Sequence, residues 1–574
     1  MAGAGEQRTP PTEDHPPPDW RLSAEAATAL ASADPGVRKT LAAHPGFLSR
    51  AYLKADRHWQ VSYFASPGRV GERRREIAAV LLRDADGAIV EAWTGFRVNW
   101  TMARGYPGAF GRTVNSPWVW VALCGLFLLP FLRRPLRLLH LDLAALLGLS
   151  VSYALFTSGA IEASVPLAVP PLAYLLARML ALAWRRAAGR APAHRAPLVL
   201  TVSTRALGTG VMVLIAFRLI LNVTTATVID VGYAGVIGAD SLLSGRGAYG
   251  TFPLDNPRGD TYGPVTYYAY VPWELILPWR GTLDALPAAH AAAASFDLAA
   301  VAVLWRIGRV LRGPRLGVLL AYLWCTFPFT LLVLNTNTND ALTAALVGLV
   351  VLSLARPVRR GGAVALAGWA KFAPLALGPL VALHPGGARP GDFGRVHTSS
   401  AGLRRVGITA GAFALTSAIL LLPVLALDGP AKILERTVGF QSGRSSPFSP
   451  WGLYDLPAGQ LVAASAAIGL ALVSAVLPRR RDVVVTCALA AGVLLAVQLA
   501  LGHWFYTYSV WFLPPLWVAL LAPYEEPAAA SGARRPGRRA QAAGRSTDSI
   551  ESARRGESAR MTTALSHGST SEGS

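Results

Sequence analysis

The chain has 574 residues, 52% of them hydrophobic and 15% charged, with a mean hydropathy of +0.38. That is too apolar for a soluble protein of this size. The apolar runs are continuous over roughly 18 or more residues, which excludes an alternating β-barrel and predicts a polytopic α-helical membrane protein. The net charge of +21 sits in short arginine clusters between those runs, the pattern of cytoplasmic loops, and does not point to nucleic acid.

Residues 1–20 are Pro-rich and polar, carry no signal-peptide pattern, and predict disorder. Residues 21–112 read as a small α+β soluble domain. Positions 23–32 and 37–55 have helical periodicity, and 59–64 alternates like a strand. Residues 76–83 and 88–93 flank Asp84-Ala-Asp-Gly87, a turn sequence, and predict a hairpin.

Three accessory spans follow, at about 117–132, 136–157 and 162–184, within an accessory membrane segment of residues 117–184. Arginines in 133–137 and 185–205 place those loops in the cytoplasm, so by parity the soluble domain lies outside. The three cysteines, Cys124, Cys325 and Cys487, fall in apolar segments and read as packing residues, with no disulfide framework or metal motif.

A fourth span, 206–229, runs outward and delivers Asp230 to the outer face. A large outer loop, 230–285, follows. Within it, 264–277 is interrupted by Pro272 and Pro278 and reads as an interfacial element. Residues 286–311 return inward, 316–334 go out, and 341–355 come back. Arginines at 356–360 and 389–405 both look cytoplasmic, so 363–383 must be two half-helices meeting near Lys371-Phe-Ala-Pro374. Residues 406–427 lead to a second outer loop, 428–457. Three crossings, 460–477, 483–501 and 504–521, precede a basic tail, 522–574, predicted to be disordered and cytoplasmic. The expected fold class is an all-α polytopic bundle of about 11–13 transmembrane segments with a small N-terminal α+β domain.

An acid where a helix leaves the bilayer is costly and therefore points to function. The loop after it has the run Gly245-Arg-Gly-Ala-Tyr249, then Thr261-Tyr-Gly-Pro264 with aromatic residues. Farther on come Gly368-Trp-Ala-Lys371-Phe-Ala-Pro374 and Phe440-Gln-Ser-Gly-Arg444. In order and sidedness these resemble the GT-C membrane glycosyltransferases, in particular the actinobacterial polyprenyl-phosphate-mannose-dependent mannosyltransferases of glycosyltransferase family 87. The resemblance covers about residues 206–521. The N-terminal domain, the three accessory spans and the Gly-Pro at 263–264 depart from the family pattern.

The resemblance implies a multi-pass cell-membrane enzyme with its active site on the extracytoplasmic face. It would take a hexose, mannose first, from a polyprenyl-phosphate donor in the lipid and pass it to an envelope glycolipid, glycan or protein. It implies no cofactor beyond that lipid-linked substrate and leans against a required metal. Asp230 is the expected general base. Tyr233, Arg246, Arg258, Asp260, Tyr262, Asp340, Lys371, Gln441, Arg444 and His503 are the expected substrate contacts.

Each has a plainer reading. Asp230 suits a helix start, and Asp240, Asp255 and Asp260 suit turns. Arg246, Arg258, Gln441 and Arg444 suit solvated loops. Lys371 suits an ion pair with an acid. Asn339 and Asp340 could contact the acceptor, but Thr338 or Asn339 equally suits a cap of the next helix. Tyr262, Tyr267, Tyr268 and Trp273, and the Trp504, Tyr506 and Tyr508 that accompany His503 at a helix end, suit an aromatic belt. Broken spans also fit a transporter or lipid-linked-sugar flippase, the alternative from another class. A third reading is an envelope scaffold whose N-terminal domain binds a partner.

Overall fold

The computed structural model describes residues 8–66, 75–105, 112–133, 137–253, 256–281, 286–396 and 400–526. Asp255, part of the 133–137 loop and almost all of the C-terminal tail lie outside the described residues. The chain divides into a unit ending at Glu525 and the tail after it.

The N-terminal module places helices α1 (Ala24–Ser32) and α2 (Pro35–Ala42) against a four-stranded antiparallel meander. Its strands are β1 (Leu48–Lys54), β2 (His58–Phe64), β3 (Glu76–Arg83) and β4 (Ile89–Thr94). Strand periodicity puts Trp59, Val61 and Tyr63 on one face, where they pack with Val80, Leu82, Ala27 and Val37. Ser23 and Asp34 cap the two helices. Asp84, in the predicted turn, is buried and accepts from the Arg21 and Leu22 amides and the Trp59 indole. The helix expected over 37–55 ends at Ala42, and its second half is β1. There pairing with β2, Leu48 against Phe64, overrides a local helical pattern. The Pro-rich start is placed from residue 8: Arg8 pairs with Leu53 through both backbone groups, and Trp20 packs edge-on against Trp59.

After the short helix α3 (Phe96–Asn99) comes α4 (Pro117–Leu128), then the long helices α5 (Leu138–Thr157), α6 (Ile161–Ala187) and α7 (Thr204–Thr224). The stretch expected as the first outer loop, and so named, holds α8 (Asp230–Leu243) and α9 (Pro264–Ile276), the latter continuing through Pro272. Next are α10 (Pro287–Leu311), α11 (Pro314–Thr326), α12 (Pro328–Asn335), α13 (Asp340–Ser353), α14 (Pro357–Ala370) and α15 (Gly378–Ala382). Helix α16 (Ser400–Asp428) leads to the second outer loop, with the short α17 (Pro430–Leu434), α18 (Phe440–Ser442) and α19 (Pro450–Leu453). Helices α20 (Pro457–Val476), α21 (Val483–Ala500) and α22 (Leu513–Leu521) complete the bundle.

Seven of these helices are long and apolar enough to cross a membrane: α5, α6, α7, α10, α16, α20 and α21. The pair α11–α12, bent by 60°, makes an eighth if counted as one span. The other expected crossings are shorter helices, because proline and polar residues interrupt them. Thus 504–521 contains a 3₁₀ turn at Tyr506–Val510 and the nine-residue α22. The break near Lys371 is present: α14 stops at Ala370 and Lys371 is extended.

If α11–α12 is one span, its bend needs satisfied backbone at membrane depth. Buried Arg218 supplies part of it. Its guanidinium grips Asp297 in a fork (Nη2–Oδ1 2.5 Å, Nε–Oδ2 3.0 Å) and donates to the Cys325 carbonyl at 3.3 Å. The basic clusters meet one another at the end of the bundle away from the first outer loop. There Arg186 pairs with Asp482 at 2.6 Å, and Gly394–Arg395 (β5) pairs with Arg480–Arg481 (β6).

Candidate active site

Asp230 is the first residue of α8, and the span before it ends earlier than the expected Ile229. Helix α7 ends at Thr224, and residues 225–229 run beside the turn after α12. The amides of Thr227 and Ile229 donate to the carbonyls of Asn335 (3.0 Å) and Thr336 (3.3 Å). Gly232 allows the contact: a Cβ there would come within 2.3 Å of the Asn337 carbonyl oxygen. Asn222 of α7 ties the same turn down, donating to the Leu334 carbonyl and the Asn337 side chain. Two helix starts, Asp230 and Asp340, are thereby brought to one place.

Asp230 opens onto a cavity of about 460 Å³. Its walls come from three parts of the chain. The first outer loop gives Arg258 and Tyr262, the second gives Phe440 and Arg444, and the segment after β4 gives Trp100. The Asn256 side chain, also in the wall, donates to the Asp230 carbonyl at 3.0 Å. By surface area Asp230 is exposed, because the cavity reaches it. Dense protein around it nevertheless makes desolvation the largest influence. That raises its pKa, against smaller opposing pulls from the Val231 amide, Arg444 and Lys371. Arg258 and Arg444 both lie against the Phe440 ring, at 5.6 and 5.5 Å. Among the described residues neither is in a salt bridge. The cavity therefore combines a carboxylate of raised basicity with two cations that have no carboxylate partner.

His503 sits behind this wall. Its Nδ1 is 2.9 Å from the Ser446 hydroxyl, and its ring stacks on Trp100. Burial, then Arg444 and Lys371, hold its pKa well below the ordinary histidine value, so the ring is neutral. Burial, with Asp230 nearby, pushes the Tyr262 phenol well up.

The remaining expected contacts lie elsewhere or are already engaged. Lys371 is paired with Asp340 at 2.5 Å and ringed by Tyr262, Tyr508 and Trp511. Asp260 is fully buried and pairs with Arg436, whose Nε and Nη2 donate at 2.6 and 2.8 Å. Arg246 pairs with Asp240, ten residues along α8 and about 15 Å from Asp230 at 1.5 Å per residue. Tyr233 is buried against Trp279, and Gln441 is exposed on α18 outside the cavity wall. Tyr267 and Tyr268 are hydrogen-bonded to the carbonyls of Gly259 and Leu420 and act as scaffold.

Sequence reasoning did not find Trp100, Asn256, Arg436 or Trp511. Asn256 and Trp511 stand in conspicuous runs, Asp-Asn-Pro-Arg and Trp-Phe-Tyr-Thr-Tyr-Ser-Val-Trp. Trp100 and Arg436 carry no local signal, because their partners are far away in the chain.

Compared with known proteins, the chain matches no family model and no curated protein.

Proposed function

We propose that this protein is an integral membrane glycosyltransferase of the GT-C kind, moving a hexose, mannose first, from a polyprenyl phosphate to a cell-envelope glycolipid, glycan or protein. The observation that carries the reading is the Asp230 carboxylate facing the same cavity as Arg258 and Arg444. Glycosyl transfer from a lipid phosphate needs both charges. Asp230 takes the proton of the acceptor hydroxyl while its oxygen bonds to the anomeric carbon. The bond from that carbon to the phosphate oxygen breaks, and the lipid phosphate leaves with the electron pair, its added negative charge met by the arginines. Desolvation raises the Asp230 pKa, which makes it a stronger base than an ordinary exposed carboxylate.

A second feature favours a lipid-linked donor. An apolar cavity of about 360 Å³ lies between α15, α20 and α21, with Leu375, Ala467 and Leu501 in its wall. Its outer residues Ile468 and Leu472 are exposed, as a face toward lipid would be. Leu375 follows Lys371 and Leu501 precedes His503 closely in sequence, so this apolar space neighbours the polar site and suits an isoprenoid chain. The positive-inside count in the sequence supports an extracytoplasmic face for the polar site.

The test is transfer by the purified protein from radiolabelled polyprenyl-phosphate sugars into a membrane-lipid extract, with the product identified by mass spectrometry. Bond formation that requires Asp230 supports the reading. Movement of the lipid-linked sugar across a vesicle without a new glycoside would make the protein a flippase instead.

A further inference from the structure

We propose that Trp100, on the segment that joins the N-terminal module to the bundle, is the platform on which a pyranose ring of the donor or acceptor packs. This rests on the glycosyltransferase reading above. Trp100 falls within the domain expected over residues 21–112 but stands in the cavity wall with Asp230 and Arg444.

Two aromatic neighbours fix its ring. The imidazole of His503 stacks on it with centroids 5.8 Å apart and planes at 27°. Phe448 meets its ring at 5.2 Å and 71°. His503 is itself held by Ser446. The backbone carrying Trp100 is tied down on both sides. Arg97 donates to the Gly159 carbonyl at 3.0 Å and to Glu162 at 2.8 Å, docking the strap onto the α5–α6 turn. Arg104 donates back to the carbonyls of Arg97 (3.0 Å) and Val98 (3.1 Å), closing the strap on itself.

A residue that only fastened a domain would have no need to reach a polar cavity. Trp100 is half-buried and borders open volume beside the charged groups. A flat, rigid aromatic face next to hydrogen-bonding groups is the usual complement to a sugar ring, whose C–H face is apolar and whose rim is polar. The ring's place among Asp230, Arg258 and Arg444 makes that ligand a sugar near the reacting centre.

The experiment uses the full chain, radiolabelled polyprenyl-phosphate mannose and a membrane-lipid extract. KM is measured for each substrate in Trp100→Leu, which keeps apolar bulk for docking but has no flat face, and in Trp100→Phe, which keeps one. The expected result is a rise of about tenfold in one KM for Trp100→Leu, with a wild-type melting temperature and most of the affinity kept in Trp100→Phe. The substrate whose KM moves is the one that stacks. Both KM values within twofold of wild type in Trp100→Leu would overturn the proposal, as would a lowered melting temperature with unmoved KM, which means docking only. Should the wild-type chain transfer nothing from any lipid-phosphate sugar, the glycosyltransferase reading fails and takes this one with it. Transfer by the wild type with an unmoved KM in the variant sinks this proposal alone.

Discussion

Lys371 is spoken for by Asp340. Its Nζ lies 2.5 Å from Asp340 Oδ1, the same oxygen that accepts the Trp511 indole at 2.9 Å. A buried ammonium beside a cavity would suit a phosphate, but here a carboxylate already neutralises it and three aromatic rings surround it. Arg258 and Arg444 are the cations without such a partner. Breaking a buried pair leaves a bare charge and costs about 3–5 kcal/mol, whereas replacing both members by apolar residues can be neutral. Lys371→Met should therefore destabilise the protein strongly, and Lys371→Met with Asp340→Leu should recover most of the loss. Thermal unfolding of the two variants in the same detergent checks this. A double variant as unstable as the single one would show that the pair does more than cancel charge.

Asp230→Asn should separate activity from stability. Removing the base should lower transfer by about 10²–10⁴-fold. The carboxylate is held in the cavity at a desolvation cost, which is why its pKa is raised. Its charged form therefore weakens the fold, and a neutral amide of the same shape relieves that cost. The melting temperature at pH 7 should be equal to or above wild type while the rate collapses. A variant that loses both together would mark Asp230 as structural.

The pH profile follows from the same group. A base acts deprotonated, so kcat/KM should fall as pH drops through the Asp230 pKa. That limb should stand above the ordinary carboxyl value of 3.8, since burial raises it. His503 adds no limb at 6.5, because burial, Arg444 and Lys371 keep it neutral. It does affect stability. The unfolded chain takes up a proton near pH 6.5 that the folded ring refuses, so its stabilising effect is whole above that pH and declines as pH falls below it. A kinetic limb at 6.5 that vanishes in His503→Gln would transfer the base role to that residue.

The long apolar helices were legible because hydrophobicity over about 20 residues has few other meanings. The break at Lys371 was legible from arginine parity and Pro374. The start of α8 at Asp230 was not. Residues 225–229 look like more of the span, and only their hydrogen bonds to Asn335 and Thr336 take them out of it. The site was legible where one residue type in one place carries a cost, as at Asp230. It was illegible where function comes from meeting a distant partner. Nothing near Trp100 signals His503, and nothing near Asp260 signals Arg436.

That last pair makes a prediction about the cavity roof. Asp260 accepts from Arg436 in a fork and from the Gly250 amide at 2.6 Å, while Asp428 accepts from the amides of Ala248 and Tyr249. The two outer loops are thus latched at two carboxylates. Arg436 is one-third exposed, so Asp260→Ala should cost about 1.5–3 kcal/mol, the range for charged hydrogen bonds, rather than the larger figure for a fully buried pair. Limited proteolysis should cut the 428–457 loop faster in that variant. Unchanged cutting would mean that the other contacts between the loops, those of Asp428, of Arg436 with the Pro257 carbonyl and of Arg258 with Phe440, suffice to hold them.

Gly263 tests whether the first loop must sit this close to α14. Its backbone is ordinary, with φ at −71°, so alanine faces no conformational penalty there. The obstacle is contact: a Cβ would lie 2.0 Å from the Trp369 carbonyl oxygen and 3.0 Å from its Cα, and backbone cannot rotate aside. Thr266 bonds the neighbouring Ala370 carbonyl at 2.8 Å, so the two elements cannot simply part. Gly263→Ala should therefore cost about 1–3 kcal/mol by overpacking and displace Tyr262 on one side and Lys371 on the other, lowering transfer as well as melting temperature. Gly411→Ala in α16 is the control, since a Cβ there meets nothing within 4 Å and should leave both near wild type. If the two variants behave alike, the close approach of residue 263 to α14 is not what sets the cavity wall.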